Sequence, residues 1–265
     1  MKRKLGITCD CITQNDPLDN LDIIKATGFD CFFTEHSDIK TVSAIKERAD
    51  KLALDFEFIH APFSGCNKMW LAGEEYLPLF NSIKNCIDSA SANHVKTIIL
   101  HVSSGWTPPP VNDLGLSRFD ELVAYAAEKN VCVAFENLRK LGNLACLMER
   151  YENTANVGFC LDCGHEHCYT ETVPFMDLFG KRLLCTHIHD NFGRTDNPKT
   201  WDDLHYLPFD GEIDYKKLIT KLNEYNYQGS LMLEVFNDRR ADYGEMSAEA
   251  FIQTAFERIT KISLL

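Results

Sequence analysis

Eight short apolar runs, rich in β-branched and aromatic residues, recur along this chain, each followed by a longer segment of helical spacing. That alternation restricts it to a parallel sheet covered by helices. The runs are Lys4–Asp10, Cys31–Glu35, Phe56–Ala61, Thr97–Val102, Val131–Glu136, Val157–Asp162, Leu183–His189 and Ser230–Val235. The amphipathic segments lie at 18–27, 40–53, 74–94, 116–130, 139–153, 172–181, 214–226 and 246–262. The strand cores are apolar almost throughout instead of alternating, so they are buried on both faces. With 265 residues, close to the roughly 250 of one (β/α)₈ unit, the pattern predicts a single-domain TIM barrel spanning residues 1–265. An open doubly wound sheet would give similar runs, but no Gly-x-Gly-x-x-Gly follows the first strand.

Charge and composition narrow the partners. The formal net charge of −12 and a pI near 5.2 oppose binding to nucleic acid or an acidic membrane, which relies on clustered lysine and arginine. The start, Met-Lys-Arg-Lys-Leu-Gly-Ile-Thr, is basic but lacks the apolar stretch of a signal peptide, and no apolar run approaches the roughly 20 residues of a membrane span. The expectation is a cytoplasmic protein that binds neither membrane nor nucleic acid. Most of the eleven cysteines lie inside apolar runs such as Val131-Cys132-Val133, where a thiol behaves as a small hydrophobe and stays reduced.

The informative feature is where polar residues stop the strands. Phe58-Ile59-His60, Ile99-Leu100-His101, Ala134-Phe135-Glu136, Cys160-Leu161-Asp162, Cys185-Thr186-His187 and Met232-Leu233-Glu234 each end on a side chain that can bind a metal. In a barrel these ends converge on one mouth, the side on which active sites of this fold sit. His165, three residues past Asp162, and the pair Asp203 and His205 in the loop after the seventh strand extend the set. Imidazole and carboxylate together suit zinc, manganese, cobalt or iron, whereas calcium and magnesium prefer oxygen alone. Taken singly, a strand-end His or Asp is more often a structural hydrogen-bonding group than a ligand. Taken together, Glu136, Asp162 and Glu234 would repel one another in a buried mouth unless a cation or protons neutralised them.

Other groups read less sharply. Glu35 and His36 either line the pocket or cap the next helix, and His94 precedes its strand and belongs on the far face. His189 lies two residues past His187 and is a candidate to orient a ligand rather than to be one; His167 is ambiguous. Cys163 and Cys168 lie near the proposed metal without a paired base. The long loops 61–73, 103–115 and 191–211 all follow strands.

The fragments Phe135-Glu136-Asn137, Leu161-Asp162-Cys163-Gly164-His165, Thr186-His187-Ile188-His189-Asp190-Asn191 and Leu233-Glu234 resemble, in order and spacing, the xylose-isomerase-like TIM barrels. That superfamily includes sugar and sugar-phosphate isomerases, ketose 3-epimerases, hydroxypyruvate isomerase, inosose dehydratase and the endonuclease IV family. The resemblance implies a divalent ion (zinc, manganese or cobalt) held by Glu136, Asp162, His187 and Glu234, and a small carbohydrate substrate. It further implies that Glu136 and Glu234 pass a proton through an enediolate. By the same resemblance His165 would hydrogen-bond a substrate oxygen and Arg194 would hold a hydroxyl or phosphate, with Glu35, if it lines the pocket, as a further substrate contact; barrels of this kind commonly pair as homodimers.

A second implication comes from another reaction class. His60, His101, Glu136, Asp162, His165, His187, Asp203, His205 and Glu234 also match, in type and order, the three-zinc site of endonuclease IV, which would make up to three ions and phosphate-ester hydrolysis the alternative. Against it, Phe135-Glu136-Asn137-Leu138-Arg139-Lys140 lacks the nuclease's Ala-Gly-x-Gly run, and His187-Ile188-His189-Asp190-Asn191 lacks its lysine. A third reading, a metal-binding barrel without chemistry, is opposed by the spare acid–base pair Glu136 and Glu234.

Overall fold

The computed structural model describes residues 3–170, 172–197 and 199–265, so Met1 and Lys2 of the basic start lie outside it. Strands β1 (Leu5–Thr8), β2 (Cys31–Thr34), β3 (Asp55–His60), β4 (Thr97–Leu100), β5 (Cys132–Glu136), β6 (Val157–Asp162), β7 (Leu183–His187) and β8 (Leu231–Leu233) pair in parallel, in the order β7-β6-β5-β4-β3-β2-β1-β8. Each falls at an expected apolar run. The ring closes between β7 and β8 just above the strands, where the Ile188 amide donates to Met232 O (2.8 Å) and the Glu234 amide donates to Ile188 O (3.0 Å). Lower down, the Thr186 hydroxyl stands in for backbone: it donates to Ser230 O (3.1 Å) and accepts from the Met232 amide (3.3 Å). The chain is therefore the expected TIM barrel.

Two cores follow from strand geometry. Residues pointing outward pack under the helices, while Cys31, Phe33, Phe58, Ile99, Ala134, Cys160, Cys185 and Met232 form a separate apolar layer inside the ring. Gly6 belongs to that layer by necessity, since a Cβ there would lie 2.5 Å from Met232 Sδ and 2.8 Å from Cys31 Sγ. Gly6→Ala is expected to cost about 1–3 kcal/mol by overpacking, read as a lower denaturant midpoint at unchanged slope. Side chains on one face of a strand recur every second residue. Two steps beyond Phe58, Ile99, Ala134, Cys160, Cys185 and Met232 stand His60, His101, Glu136, Asp162, His187 and Glu234. The polar residues thus rise directly from the apolar plug.

Helices α1 (Pro17–Thr27), α2 (Ile39–Leu52), α3 (Leu77–Ala92), α4 (Asp113–Glu128), α5 (Leu141–Arg150), α6 (Cys163–Tyr169), α7 (Phe175–Phe179), α8 (Tyr215–Glu224), α9 (Ala241–Gly244) and α10 (Ala248–Ser263) surround the ring. Asp16, Asp38, Asn112, Asp214 and Ser247 accept from amides of the first turn and fix where α1, α2, α4, α8 and α10 begin. One expectation changes: the helix expected at 172–181 is the single turn α7 followed by a 3₁₀ turn, Gly180–Arg182, and α6 intervenes directly after β6. The cause is Asp162, which ends β6 and accepts from the His165 amide (2.7 Å) to cap α6, so no loop separates strand from helix. All eleven cysteines are free, and among the described residues no helix is long and apolar enough to cross a membrane.

Candidate metal centre

Glu136, Asp162, His187 and Glu234, drawn from β5, β6, β7 and the end of β8, meet over the apolar layer with one donor atom each, all within 4.8 Å of one another. His187 Nδ1 lies 3.0 Å from Glu136 Oε1, 3.2 Å from Glu234 Oε2 and 3.9 Å from Asp162 Oδ2. Its ring is held flat against Phe33, with centroids 5.0 Å apart, so the apolar layer sets its orientation.

Glu136 joins this group to a second. Its Oε2 lies 2.8 Å from His101 Nε2 and 3.3 Å from His60 Nε2, and those two nitrogens are 3.2 Å apart. A third group, His165, Asp203 and His205, centres on Asp203 Oδ2, which is 3.0 Å from His165 Nε2 and 3.4 Å from His205 Nε2. All nine sequence candidates for metal binding therefore share one mouth. The other two candidates lie at the edge of the mouth: the Glu35 amide donates to Asp10 Oδ2 (2.8 Å), and burial raises its carboxyl, which also feels the charges of His60, Glu234 and His205; Arg194 lies over the Trp106 ring (4.3 Å to its centroid).

The donor set fits a cation on three observations. First, Glu136, Asp162, Asp203 and Glu234 are at most 5% exposed, a density of buried carboxylate that needs a counter-charge. Second, Glu136 Oε2 and Asp203 Oδ1 are buried without hydrogen-bond partners. Third, backbone carbonyls fix the imidazoles: His60 Nδ1 donates to Ala61 O, His165 Nδ1 to Asn137 O and His205 Nδ1 to Glu234 O, each at 3.0 Å. In the neutral tautomers this leaves every Nε2 lone pair facing a carboxylate, an arrangement that repels unless a proton or a metal ion sits between them.

Without a metal ion, protons take that place. Burial alone would lower His165 and His187, but the neighbouring carboxylates outweigh it and hold both well above the ordinary imidazole value. The same balance raises His205 to about 9. Burial would raise the Glu136 carboxyl, yet His187 and His101 hold it well below the usual range, and His187 and His205 do the same for Glu234. Metal loading would therefore release protons from these imidazoles.

Several positioning residues carry no motif of their own. The Asn137 side chain copies a strand backbone, donating to Asp162 O and accepting from the Asp162 amide, both at 2.8 Å, and so extends the β5–β6 pairing to the ligand. His189 donates to Asp162 (3.1 and 3.2 Å) and stacks on His205 at 4.0 Å, whereas His167 bonds Asn191 Oδ1 (2.8 Å) outside the cluster. Asp190 accepts from the amides of Asn191, Phe209 and Ile213, tying down the loop that delivers Asp203 and His205. His205 itself is held at φ 49°, a conformation that non-glycine residues keep only where the surroundings enforce it. Gly164 leaves room for His189: a Cβ would fall 1.9 Å from its ring, so Gly164→Ala would push α6 and His165 outward.

The spacing Cys160-Leu161-Asp162-Cys163 is that of a redox or zinc pair, yet Cys160 belongs to the barrel interior. Burial pushes both thiols far above their ordinary value, so neither offers a thiolate.

Fold and mouth together define a TIM barrel with a mixed cluster of imidazoles and carboxylates at the C-terminal ends of its strands. The family model for the xylose isomerase-like TIM barrel matches residues 21–261, and the chain belongs to that family. An uncharacterized protein of Sinorhizobium fredii is 34% identical over 171 residues, 59% of this chain; the match covers 52% of that relative, so the chain spans about half its length. The crystal structure of a xylose isomerase domain protein from Planctomyces limnophilus superimposes with a TM-score of 0.75 at 16% identity, covering 99% of this chain and 98% of that one. That of 3-keto-D-glucoside 4-epimerase from E. coli does so at 0.72 and 18%, covering 98% of this chain and 100% of that one. At these identities the two structures share the fold.

Proposed function

We propose that this protein is a metal-dependent isomerase or epimerase of a small carbohydrate, with Glu136 and Glu234 as the proton-transfer pair. The observation that carries the reading is the convergence of Glu136, Asp162, His187 and Glu234 on one point, with both glutamates flanking His187 Nδ1 at 3.0 and 3.2 Å. The epimerase that shares the fold supports it.

A divalent ion bound there would polarise the hydroxy-carbonyl unit of the sugar and stabilise negative charge developing on its oxygens. The chain's own residues do the rest. One glutamate removes the proton from the carbon beside the carbonyl, giving an enediolate, and the other returns a proton to the opposite face or to the neighbouring carbon. His165, whose Nδ1 donates to Asn137 O, has its Nε2 in the mouth beside Asp203, where the lone pair can accept from a substrate hydroxyl. The apolar layer beneath keeps water from entering from below.

Deuterium wash-in from heavy water tests proton transfer whatever the product is. Exchange at the α-carbon of at least one sugar in a broad ketose and keto-sugar panel is expected, and none would overturn the reading. Glu234→Gln is expected to cut exchange by roughly 10²–10⁴ while most of the metal stays bound. Parallel loss of metal would make Glu234 a ligand alone.

The second reading, phosphate-ester hydrolysis at a multinuclear site, is favoured by one observation: His60, His101 and Glu136 form one ligand group and His165, Asp203 and His205 another, beside the central four. Metal analysis of protein purified without added ions separates the two. Close to one equivalent supports the isomerase, and three equivalents of zinc with cleavage of abasic DNA support the hydrolase.

A further inference from the structure

A wall of alternating rings and guanidinium groups runs outward from the metal centre. Tyr169 stacks on His165 with ring centroids 5.2 Å apart, Arg139 lies 3.7 Å above the Tyr169 ring, and Trp106 meets Tyr169 edge-on at 5.7 Å. Arg194 covers Trp106 at 4.3 Å, and Arg139 reaches the same ring at 5.6 Å. The two guanidiniums come from loops that follow strands two places apart in the ring, β5 and β7. Arg139 follows the strand that carries Glu136, and Arg194 lies in the loop that delivers Asp203 and His205. Trp106, from a third loop, brings them together. Beside Arg194 and Trp106 is a cleft of about 290 Å³ that Thr195, Asn197 and Asp202 also line.

The chemistry of this wall differs from that of the rest of the mouth. The centre itself is rich in carboxylates, and the chain carries a net charge of −12. Two arginines on one indole, at 4.3 and 5.6 Å from its centroid, therefore run against the overall balance. Stacking on rings fixes each guanidinium and leaves N–H groups available, all but the one Arg139 gives to the Tyr169 hydroxyl, for phosphate or carboxylate oxygens. Among the described residues neither arginine forms an ion pair with a carboxylate; Arg139 donates to the Tyr169 hydroxyl. Two acids border the cleft. Asp202 accepts from the Thr195 amide (3.1 Å) and hydroxyl (3.4 Å), while Asp196 is exposed.

We infer that Arg139 and Arg194, gripped around Trp106, form an anion-binding subsite, and that the substrate carries a terminal phosphate or carboxylate several bonds from the atoms handled at Glu136 and Glu234. This deepens the isomerase reading and rests on it for the word substrate. Binding to the subsite does not depend on that reading. Energy from such a remote charged group can be used to orient the reacting carbons over the glutamates.

Calorimetric titration of the metal-loaded protein with glycerol 3-phosphate, glycerate and glycerol tests it. At least one of the two anions is expected to bind about 10-fold or more tightly than glycerol, phosphate or carboxylate being assigned by whichever binds better. Arg139→Gln and Arg194→Gln are each expected to weaken that anion by about 10–100-fold, the range for a lost charge-assisted hydrogen bond, with metal content and melting temperature unchanged. Trp106→Leu, which keeps both charges but removes the ring between them, is expected to weaken it by a smaller factor.

Equal binding of anion and glycerol overturns the inference. So does undiminished binding in both arginine variants, which would place the anion on the metal. The two proposals fail separately. Arginine-dependent anion binding without deuterium exchange on any sugar leaves the subsite standing and removes the isomerase, while exchange that is equally fast for neutral and anionic sugars removes the subsite alone.

Discussion

Glu136→Gln is expected to abolish deuterium exchange, by at least about 10³-fold, and to lower metal content more than any other single substitution in the mouth. The reason is geometric. Glu136 Oε1 faces His187 while Oε2 faces His60 and His101, so this one carboxylate serves two ligand groups as well as acting as an acid–base group. An amide keeps the shape but loses the charge and turns a donor toward one of those groups. With so little water to compensate, removing one charge of a buried ionic cluster is commonly worth about 3–5 kcal/mol, equal to the loss of several orders of magnitude in metal affinity. Elemental analysis of the purified variant, beside exchange kinetics, measures both effects. Full metal content at wild-type exchange would remove Glu136 from the centre.

Chelation should show the next largest effect. A ligand that binds only the folded state at about 1,000 times its Kd contributes about 4 kcal/mol, which for a chain of this size corresponds to roughly 8–16 °C of melting temperature. Dialysis against a strong chelator is therefore expected to lower the melting temperature by that much, and re-addition of the native ion is expected to restore it. The direction follows from the mouth: without the ion, Glu136, Asp162, Asp203 and Glu234 must be balanced by protons on His165, His187 and His205. Those imidazoles have raised pKa values, so proton compensation is complete at low pH and is lost as pH rises through the folded-state values, about 9 for His205. The stabilisation by metal should accordingly grow with pH. A melting temperature indifferent to chelator at pH 9 would show that no ion supports the fold.

Much of the barrel and its mouth is legible in the linear pattern. The strands announce themselves because a parallel barrel buries both faces of each one, leaving uninterrupted apolar runs. The ligands are legible because each run ends on a polar residue two positions past an inward-facing one, as Ala134 is followed by Glu136 and Cys185 by His187. Less legible is α6. Its seven residues are too few for a period, and the segment Cys163–Tyr169 carries polar residues where a helix under a barrel would be apolar. An aspartate in N-cap position is the signal that could have found it. The doubled role of Asn137 has none, because a side chain that imitates backbone looks like any loop asparagine.

By itself, then, the order of apolar runs and the residues that end them determined a closed parallel barrel and a mouth furnished with histidine and carboxylate. Both depend on local periodicity, which a linear pattern records. Tertiary structure alone decided that Glu136 belongs to two ligand groups, that His165 turns toward Asp203 and that Arg139, Trp106 and Arg194 form one wall. Those are distances between residues far apart in the chain, set by how strand ends and loops close over the mouth, and no spacing along the sequence encodes them.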